Sequence, residues 1–183
     1  MSDTALLDAC VLYPSVAREM LLATAGQGLF TPIWSARIEE EWRRAAARQG
    51  PVEGAQAEGE IALARANWPE ACRPDPTEDP SLWLPDPGDI HVLASALETG
   101  AEVIVTFNLR DFPRRELAPR GLRAIHPDAF LSAFWPTHPE RLLAAADRVL
   151  ARARAQGDPG WTHRALFKKA RLPRLGKTLA RAG

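Results

Sequence analysis

Apolar residues along this chain fall into two alternating patterns, short continuous runs and longer stretches with helical spacing. Residues 5–7, Ala5-Leu6-Leu7, form a brief run of the kind that becomes a buried strand. After Tyr13-Pro14-Ser15 the spacing turns helical, with Val16, Met20, Leu21 and Leu22 along one face and Ser15 as the expected N-cap. Residues 29–34 read as a second strand, and Ser35 then caps a helix that runs through Ile38 and Trp42 toward Gly50-Pro51.

The alanine-rich stretch 53–67 predicts a further helix, held down by Ile61 and Leu63 and ended by Trp68-Pro69. Proline and acid dominate residues 69–87, which predicts an extended connection with room for one short strand at Leu82-Trp83-Leu84. Asp86-Pro87 opens a helix that packs through Val92, Leu93 and Ala96 and stops at Gly100. Residues 103–106 are the cleanest strand signal, 122–125 a last short one, and 127–131 enter a helix. Residues 141–156 carry Leu142, Leu143, Ala146, Val149 and Leu150 at helical spacing, and the basic end beyond Gly160, with Trp161, Leu166 and Phe167, is expected to dock only loosely. Alternation of this kind predicts an α/β fold, a three-layer α/β/α sandwich around a central, mainly parallel sheet. Residues 1–135 would form that domain and residues 136–183 a basic helical C-terminal extension.

A length of 183 residues with 46% hydrophobic content suits one domain with an appendage. Lysine plus arginine and aspartate plus glutamate both total 23, so net charge alone attracts no polyanion. The distribution changes the picture, because the chain from His138 onward carries +8 and the part before it −8. Cys10 and Cys72 belong to no CxxC pair or zinc-type cluster, which argues against a disulfide framework and for a reducing cytoplasm. Met1-Ser2-Asp3-Thr4 has no basic leader character and no apolar run is long enough to cross a bilayer, so neither secretion nor membrane insertion is expected.

Ligands of parallel sheets bind beyond the carboxyl ends of the strands. Four acids fall at strand or helix ends that can reach such an edge: Asp8 after Leu6-Leu7, Glu41 two turns into the helix from Ser35, Asp89 in Asp86-Pro87-Gly88-Asp89, and Asp111 in Asn108-Leu109-Arg110-Asp111. Converging carboxylates repel one another unless a divalent cation neutralises them. Each also has a local explanation. Asp8 can be a turn residue, although burial beside Leu7, Ala9 and Val11 would be costly without a partner. Glu39, Glu40 and Glu41 complement a helix dipole, while Asp86 with Asp89, and Asn108 with Asp111, have the spacing of helix caps. Thr106 can orient Asn108 or Asp111, or be an ordinary β-branched strand residue. His91 lies beside the acids, but its apolar neighbours suit a packed histidine. Arg110, Arg114, Arg115, Arg120 and Arg123 can contact phosphates or form a solvated loop, and the basic tail can attract RNA or pack as an amphipathic helix.

Together these residues resemble a PIN domain, the nuclease fold of VapC-type toxins and several RNA-processing endonucleases, over residues 6–131. Leu6-Leu7-Asp8 is similar to the family's first strand and metal-binding aspartate, and residues 35–42 to the helix bearing its glutamate. Trp42 supplies the large apolar residue that usually follows that glutamate, which selects Glu41, with Glu40 the other register. Residues 84–96 resemble a toxin-like branch of the family in which Asp89 is the third acid and Asp86 an accessory one. Residues 105–112 resemble the fourth motif, where Asn108 is neutral and Asp111 can bring the missing charge.

The resemblance implies a Mg²⁺- or Mn²⁺-dependent endoribonuclease that cuts single-stranded RNA to leave a 5′ phosphate and a 3′ hydroxyl. Asp8, Glu41, Asp89 and Asp111 would be catalytic, and Asp8, Asp89, Asp111 and Asn108 would hold metal. Asn108, Thr106, Asp86 and Glu40 would be accessory, with Arg110, Arg114 and Arg115 on RNA. A cognate antitoxin and a second copy of the chain are the expected protein partners. Rival readings are a catalytically silent PIN module, a nucleic-acid-binding module working through the tail, and a haloacid-dehalogenase-type phosphatase. The last needs a DxD sequence that Asp8-Ala9-Cys10 lacks.

Overall fold

The computed structural model describes residues 4–182. Its elements run β1 (Thr4–Leu7), α1 (Ala9–Leu12), α2 (Ser15–Gly26), β2 (Thr31–Ser35), α3 (Ala36–Ala47), α4 (Pro51–Asn67), β3 (Cys72–Arg73), α5 (Ile90–Glu98), β4 (Val103–Val105), α6 (Arg114–Leu117), β5 (Arg123–Ile125), α7 (Pro127–Ser132), α8 (Pro139–Gln156), α9 (His163–Lys169) and α10 (Pro173–Leu179). They form two compact units, one of residues 4–13 and 31–125, the other of residues 14–30 and 126–182.

The first unit contains a five-stranded sheet in the order β3-β2-β1-β4-β5, with every pairing parallel. Leu6 faces Ile33 on one side and Ile104 on the other. All residues of Ala5-Leu6-Leu7 and Val103-Ile104-Val105 are fully buried. Successive strand side chains point to opposite faces, so both faces of β1 and β4 are covered, as uninterrupted apolar strands require. The chain builds outward from β1 to β2 and β3, then returns to the other side of β1 with β4 and β5. The order therefore reverses between β1 and β4, which is where a parallel sheet opens a crevice beyond its strand ends.

Ser35 caps α3 as the sequence predicts, its Oγ accepting from the Ile38 N–H at 3.3 Å. Within α3, Ile38 and Trp42 are buried, and so is Glu39, which is 1% exposed. The Glu39 carboxylate accepts from Trp34 Nε1 at 2.7 Å and Arg65 Nε at 2.8 Å. Burial pushes its pKa up, but the bonds from Arg65 and Trp34 outweigh that and hold it below the usual range. Glu39 thus joins α3 to α4, a structural duty separate from its two acidic neighbours.

Ser15 is the first residue of α2 and makes no capping bond; the N-cap position belongs to Pro14, whose extended backbone makes the turn. Leu82-Trp83-Leu84 is not a strand. Leu82 and Leu84 are buried and Trp83 is half exposed, so the alternation reports burial without ladder pairing, and the third strand is instead Cys72–Arg73, paired to Trp34 and Ser35. The helix after Asp86 begins as a 3-10 turn, Pro87–Asp89, before α5.

The basic end, expected to dock loosely, is instead firmly packed. In the second unit Leu166, Phe167, Leu172, Leu175 and Leu179 are all buried. The Asp128 carboxylate, at the start of α7, accepts from the backbone N–H groups of Arg174 at 2.9 Å and Leu175 at 2.8 Å, which anchors the first turn of α10. A side chain at Gly176 would meet His163 O and Phe167 Cβ at 3.2 Å, so the absence of one lets α9 and α10 approach closely. Phe30, Phe130 and Phe134 form an aromatic cluster, with the Phe30 and Phe130 rings edge to face at 4.9 Å. Among the described residues, no helix is long and apolar enough to cross a membrane.

Candidate metal centre

Asp8 follows the last residue of β1 and is 6% exposed. Its backbone N–H donates to Val105 O at 3.2 Å, which ties it to the end of β4. Its Oδ2 accepts two hydrogen bonds, from Thr106 Oγ1 at 2.7 Å and from Cys10 Sγ at 3.0 Å. Thr106 is fully buried and its Oγ1 accepts from the Asn108 N–H at 3.0 Å. The hydroxyl therefore fixes Asp8 and the Asn108 backbone. Burial pushes the Cys10 thiol up to about 12, with the Asp8 charge and hydrogen bond adding to it, so Cys10 is a protonated donor rather than a thiolate. Its sulfur accepts from the Phe107 N–H at 3.2 Å.

Asp86, Asp89 and Asp111 each place an oxygen within 4.8 Å of the others. Asp86 caps the 3-10 turn, its Oδ1 accepting from the Gly88 N–H at 2.8 Å. Asp89 sits at the head of α5 with no capping bond from its side chain. The amide Nδ2 of Asn108 donates to Asp111 Oδ2, so the neutral member of the fourth motif holds the charged one in place. Burial pushes the Asp89 carboxyl up to about 7, and the negative charges of Asp8, Asp86, Asp111 and Glu41, in that order, push the same way. Asp8, Glu41 and Asp111, spread over more than a hundred positions of sequence, thus all act electrostatically on Asp89, with Asp86 as a fourth.

Glu41 Oε1 lies 2.7 Å from His91 Nε2 and 3.8 Å from Arg37 Nε. The His91 side chain is 4% exposed, and its ring nitrogens are not aligned for a hydrogen bond. Glu40 points elsewhere: it is gripped by Arg43 at 2.6 Å and Arg44 at 2.8 Å, and the bonds from Arg43 and then Arg44 hold its carboxyl below the usual range. Of the two glutamates, Glu41 is the one whose charge acts on Asp89.

Arg110, Arg114 and Arg115 are exposed beyond the fourth motif. Arg110 Nε is 3.7 Å from Asp111 Oδ1, while Arg115 contacts Glu116 at 3.2 Å and lies over the Trp83 ring at 5.7 Å. Two side chains against the acids lay outside the sequence-based assignment. Cys10 carried a signal, its i+2 spacing from Asp8 on the first turn of α1. His91 carried a weaker one, two residues after Asp89, and its apolar neighbours favoured a packing role.

The donor set consists of carboxylate oxygens with one amide beside them, which matches hard cations such as Mg²⁺ and Mn²⁺. Of the groups that would favour softer metals, the Cys10 thiol donates to Asp8 and the His91 ring lies against Glu41. Burial first, and then the carboxylates of Asp8, Asp86, Asp111 and Glu41, disfavour the charged form of Asp89, and a bound cation would favour it. The residues present fit a divalent cation.

A family model described as PIN domain matches residues 2–110. The curated protein named Putative ribonuclease VapC50, from Mycobacterium tuberculosis (strain ATCC 25618 / H37Rv), is 41% identical over 79 residues, which is 43% of this chain and 45% of that protein. The match thus spans about half the length of that relative. No solved structure matches.

Proposed function

The chain belongs to the PIN domain family, and from that premise we propose that it is a Mg²⁺- or Mn²⁺-dependent endoribonuclease acting on single-stranded RNA, the toxin of a toxin-antitoxin pair. The observation that carries the reading is the gathering of Asp86, Asp89 and Asp111 oxygens within 4.8 Å, with Asp8 and Glu41 acting on Asp89. The ribonuclease name of the VapC50 relative supports the choice of RNA. We assign the nuclease function to residues 1–135, with residues 136–183 as an extension.

Asp89 and Asp111, with Asp86 whose oxygen lies within 4.8 Å of theirs, would hold the cation together with Asp8 and Asn108, and Glu41 would join them directly or through water. When bound, the cation supplies an activated water and neutralises charge developing on the scissile phosphate. The chain's own part is positioning. Thr106 and Cys10 occupy Oδ2 of Asp8, which fixes the carboxylate and leaves Oδ1 for a ligand. Asn108 steadies Asp111, and the Arg37 and His91 contacts restrain Glu41. Arg110, Arg114 and Arg115 would receive flanking phosphates. A cognate antitoxin would lay a basic or aromatic segment over these acids, and a second copy of the chain and a cytoplasmic location complete the reading.

The purified chain should cleave a labelled single-stranded RNA with Mn²⁺ and not in EDTA, leaving 5′ phosphates. Mn²⁺ binding by calorimetry without any cleavage would leave a metal-binding module, and neither binding nor cleavage would leave a silent PIN module.

The hydrogen bond from Cys10 gives a separate expectation. Cys10→Ala removes one donor to Asp8 and should weaken Mn²⁺ binding roughly tenfold, the lower range for loss of an outer partner of a metal ligand. Cys10→Ser, which keeps a donor, should bind nearly as the parent does. Equal affinities for the alanine and serine variants in calorimetry would show that the thiol does not position Asp8.

A further inference from the structure

We propose that the α9–α10 pair is a docking surface for the phosphate backbone of RNA, working without a metal ion. It rests on the nuclease reading only in the choice of RNA as the polyanion. Residues 161–182 contain seven lysines and arginines and no aspartate or glutamate. All seven are exposed, among them Lys168 and Lys169 on α9 and Arg174 and Lys177 on α10.

The scaffold beneath them is built. Leu166 and Phe167 of α9 and Leu175 and Leu179 of α10 are buried, Gly176 brings the helices together, and Asp128 anchors the first turn of α10. Arg171, between the helices, takes a left-handed backbone at φ 63° that closes the tight turn. Cationic stems on a fixed backbone lose less freedom on binding than the same residues in a loose tail.

What the surface lacks selects the partner. Among the described residues the exposed large hydrophobic ones are Val52, Leu63, Trp83 and Leu109, all outside residues 161–182, and the half-buried Trp161 has the Lys169 ammonium 5.2 Å from its ring centroid. Protein interfaces centre on buried aromatic or aliphatic anchors, and helices that lie on membranes insert an apolar face. A surface of positive charge without such anchors suits a ligand recognised by charge alone, and phosphodiester backbones are bound that way through counterion release.

The test uses the full chain carrying Asp89→Asn, in EDTA, with a labelled single-stranded RNA, and follows affinity by anisotropy as salt rises. Binding should fall steeply with salt. Adding Lys168→Gln, Lys169→Gln and Lys177→Gln together should weaken binding at least tenfold at low salt. It should also flatten the plot of log affinity against log salt by about 2, near 0.7 for each phosphate no longer neutralised. The corresponding triple arginine variant should keep the parent slope, which separates charge from folding. No RNA binding by the Asp89→Asn chain, or a glutamine variant with a native melting curve and the parent affinity and slope, would overturn the proposal. So would loss of an acidic protein partner with RNA affinity unchanged. Salt-dependent binding that persists in a parent unable to cleave with Mn²⁺ would support the docking surface and defeat the nuclease reading alone.

Discussion

Asp8→Asn and Asp89→Asn are each expected to lower Mn²⁺-dependent RNA cleavage by at least about a hundredfold while leaving the far-UV circular dichroism spectrum native. Removing merely an outer partner of a metal ligand costs roughly ten- to a hundredfold, so removing a ligand's charge should reach the upper end or exceed it. Asparagine is the informative replacement at Asp8 because it keeps an oxygen for Thr106 Oγ1, the 2.7 Å partner that joins residues 98 positions apart. Alanine would strip partners from Thr106 and Cys10 together and confuse a folding defect with a chemical one. At Asp89 the side chain makes no capping bond to the head of α5, so removing its charge asks little of the helix. Cleavage at the parent rate by either pure variant would take that residue out of the mechanism.

The second large effect is on stability, and it has the opposite sign. Asp89 is pushed up to about 7 by burial and by Asp8, Asp86, Asp111 and Glu41. In the unfolded chain an aspartate loses its proton near pH 4. Between about pH 4 and 7 the folded state therefore holds a proton that the unfolded state has released, and stability contributed by this group falls as pH rises through that window. Above pH 7 the cost is fully present. In EDTA, Asp89→Asn should thus be more stable than the parent at pH 8, by about 1–3 kcal/mol after allowance for partial exposure and coupling among the acids. The gap should narrow toward pH 5. Because groups far from Asp89 are common to both proteins, the difference between the two melting curves reports Asp89 and the acids coupled to it. Saturating Mn²⁺ should reverse the order at pH 8, stabilising the parent and not the variant. A gap independent of pH, or a variant less stable than the parent in EDTA, would show that the acids do not strain the metal-free fold.

Much of the fold and most of the candidate site can be read from residues in order. Ala5-Leu6-Leu7 and Val103-Ile104-Val105 announce buried parallel strands because a strand covered on both faces has no polar position to show. Ser35 announces α3 because its hydroxyl satisfies an N–H that the first helical turn leaves unpaired. Leu82-Trp83-Leu84 misleads for a definite reason: alternation records which side chains are covered, and a strand also needs a neighbour whose backbone is unpaired. Cys72–Arg73, too short to show any period, finds that neighbour in β2. The basic end misleads differently, since its buried leucines are divided between two seven-residue helices and the turn that joins them, and no long stripe marks them.

The order of residues is enough to say where the acids stand, at the ends of strands, at the heads of helices and, for Glu41, inside α3, because local period and capping chemistry act over a few residues. Which oxygen meets which partner was settled by folding alone. Thr106 and Cys10 close on the same atom of Asp8, Asn108 turns its amide to Asp111, and His91 comes against Glu41 rather than Glu40. Meetings of this kind depend on strand order and on which side of a helix faces the crevice between β1 and β4, and no pattern along the chain carries that information. The charge of Asp89 belongs with them, for its pKa is raised first by burial and then by four carboxylates that are its neighbours in space and, apart from Asp86, distant from it along the chain.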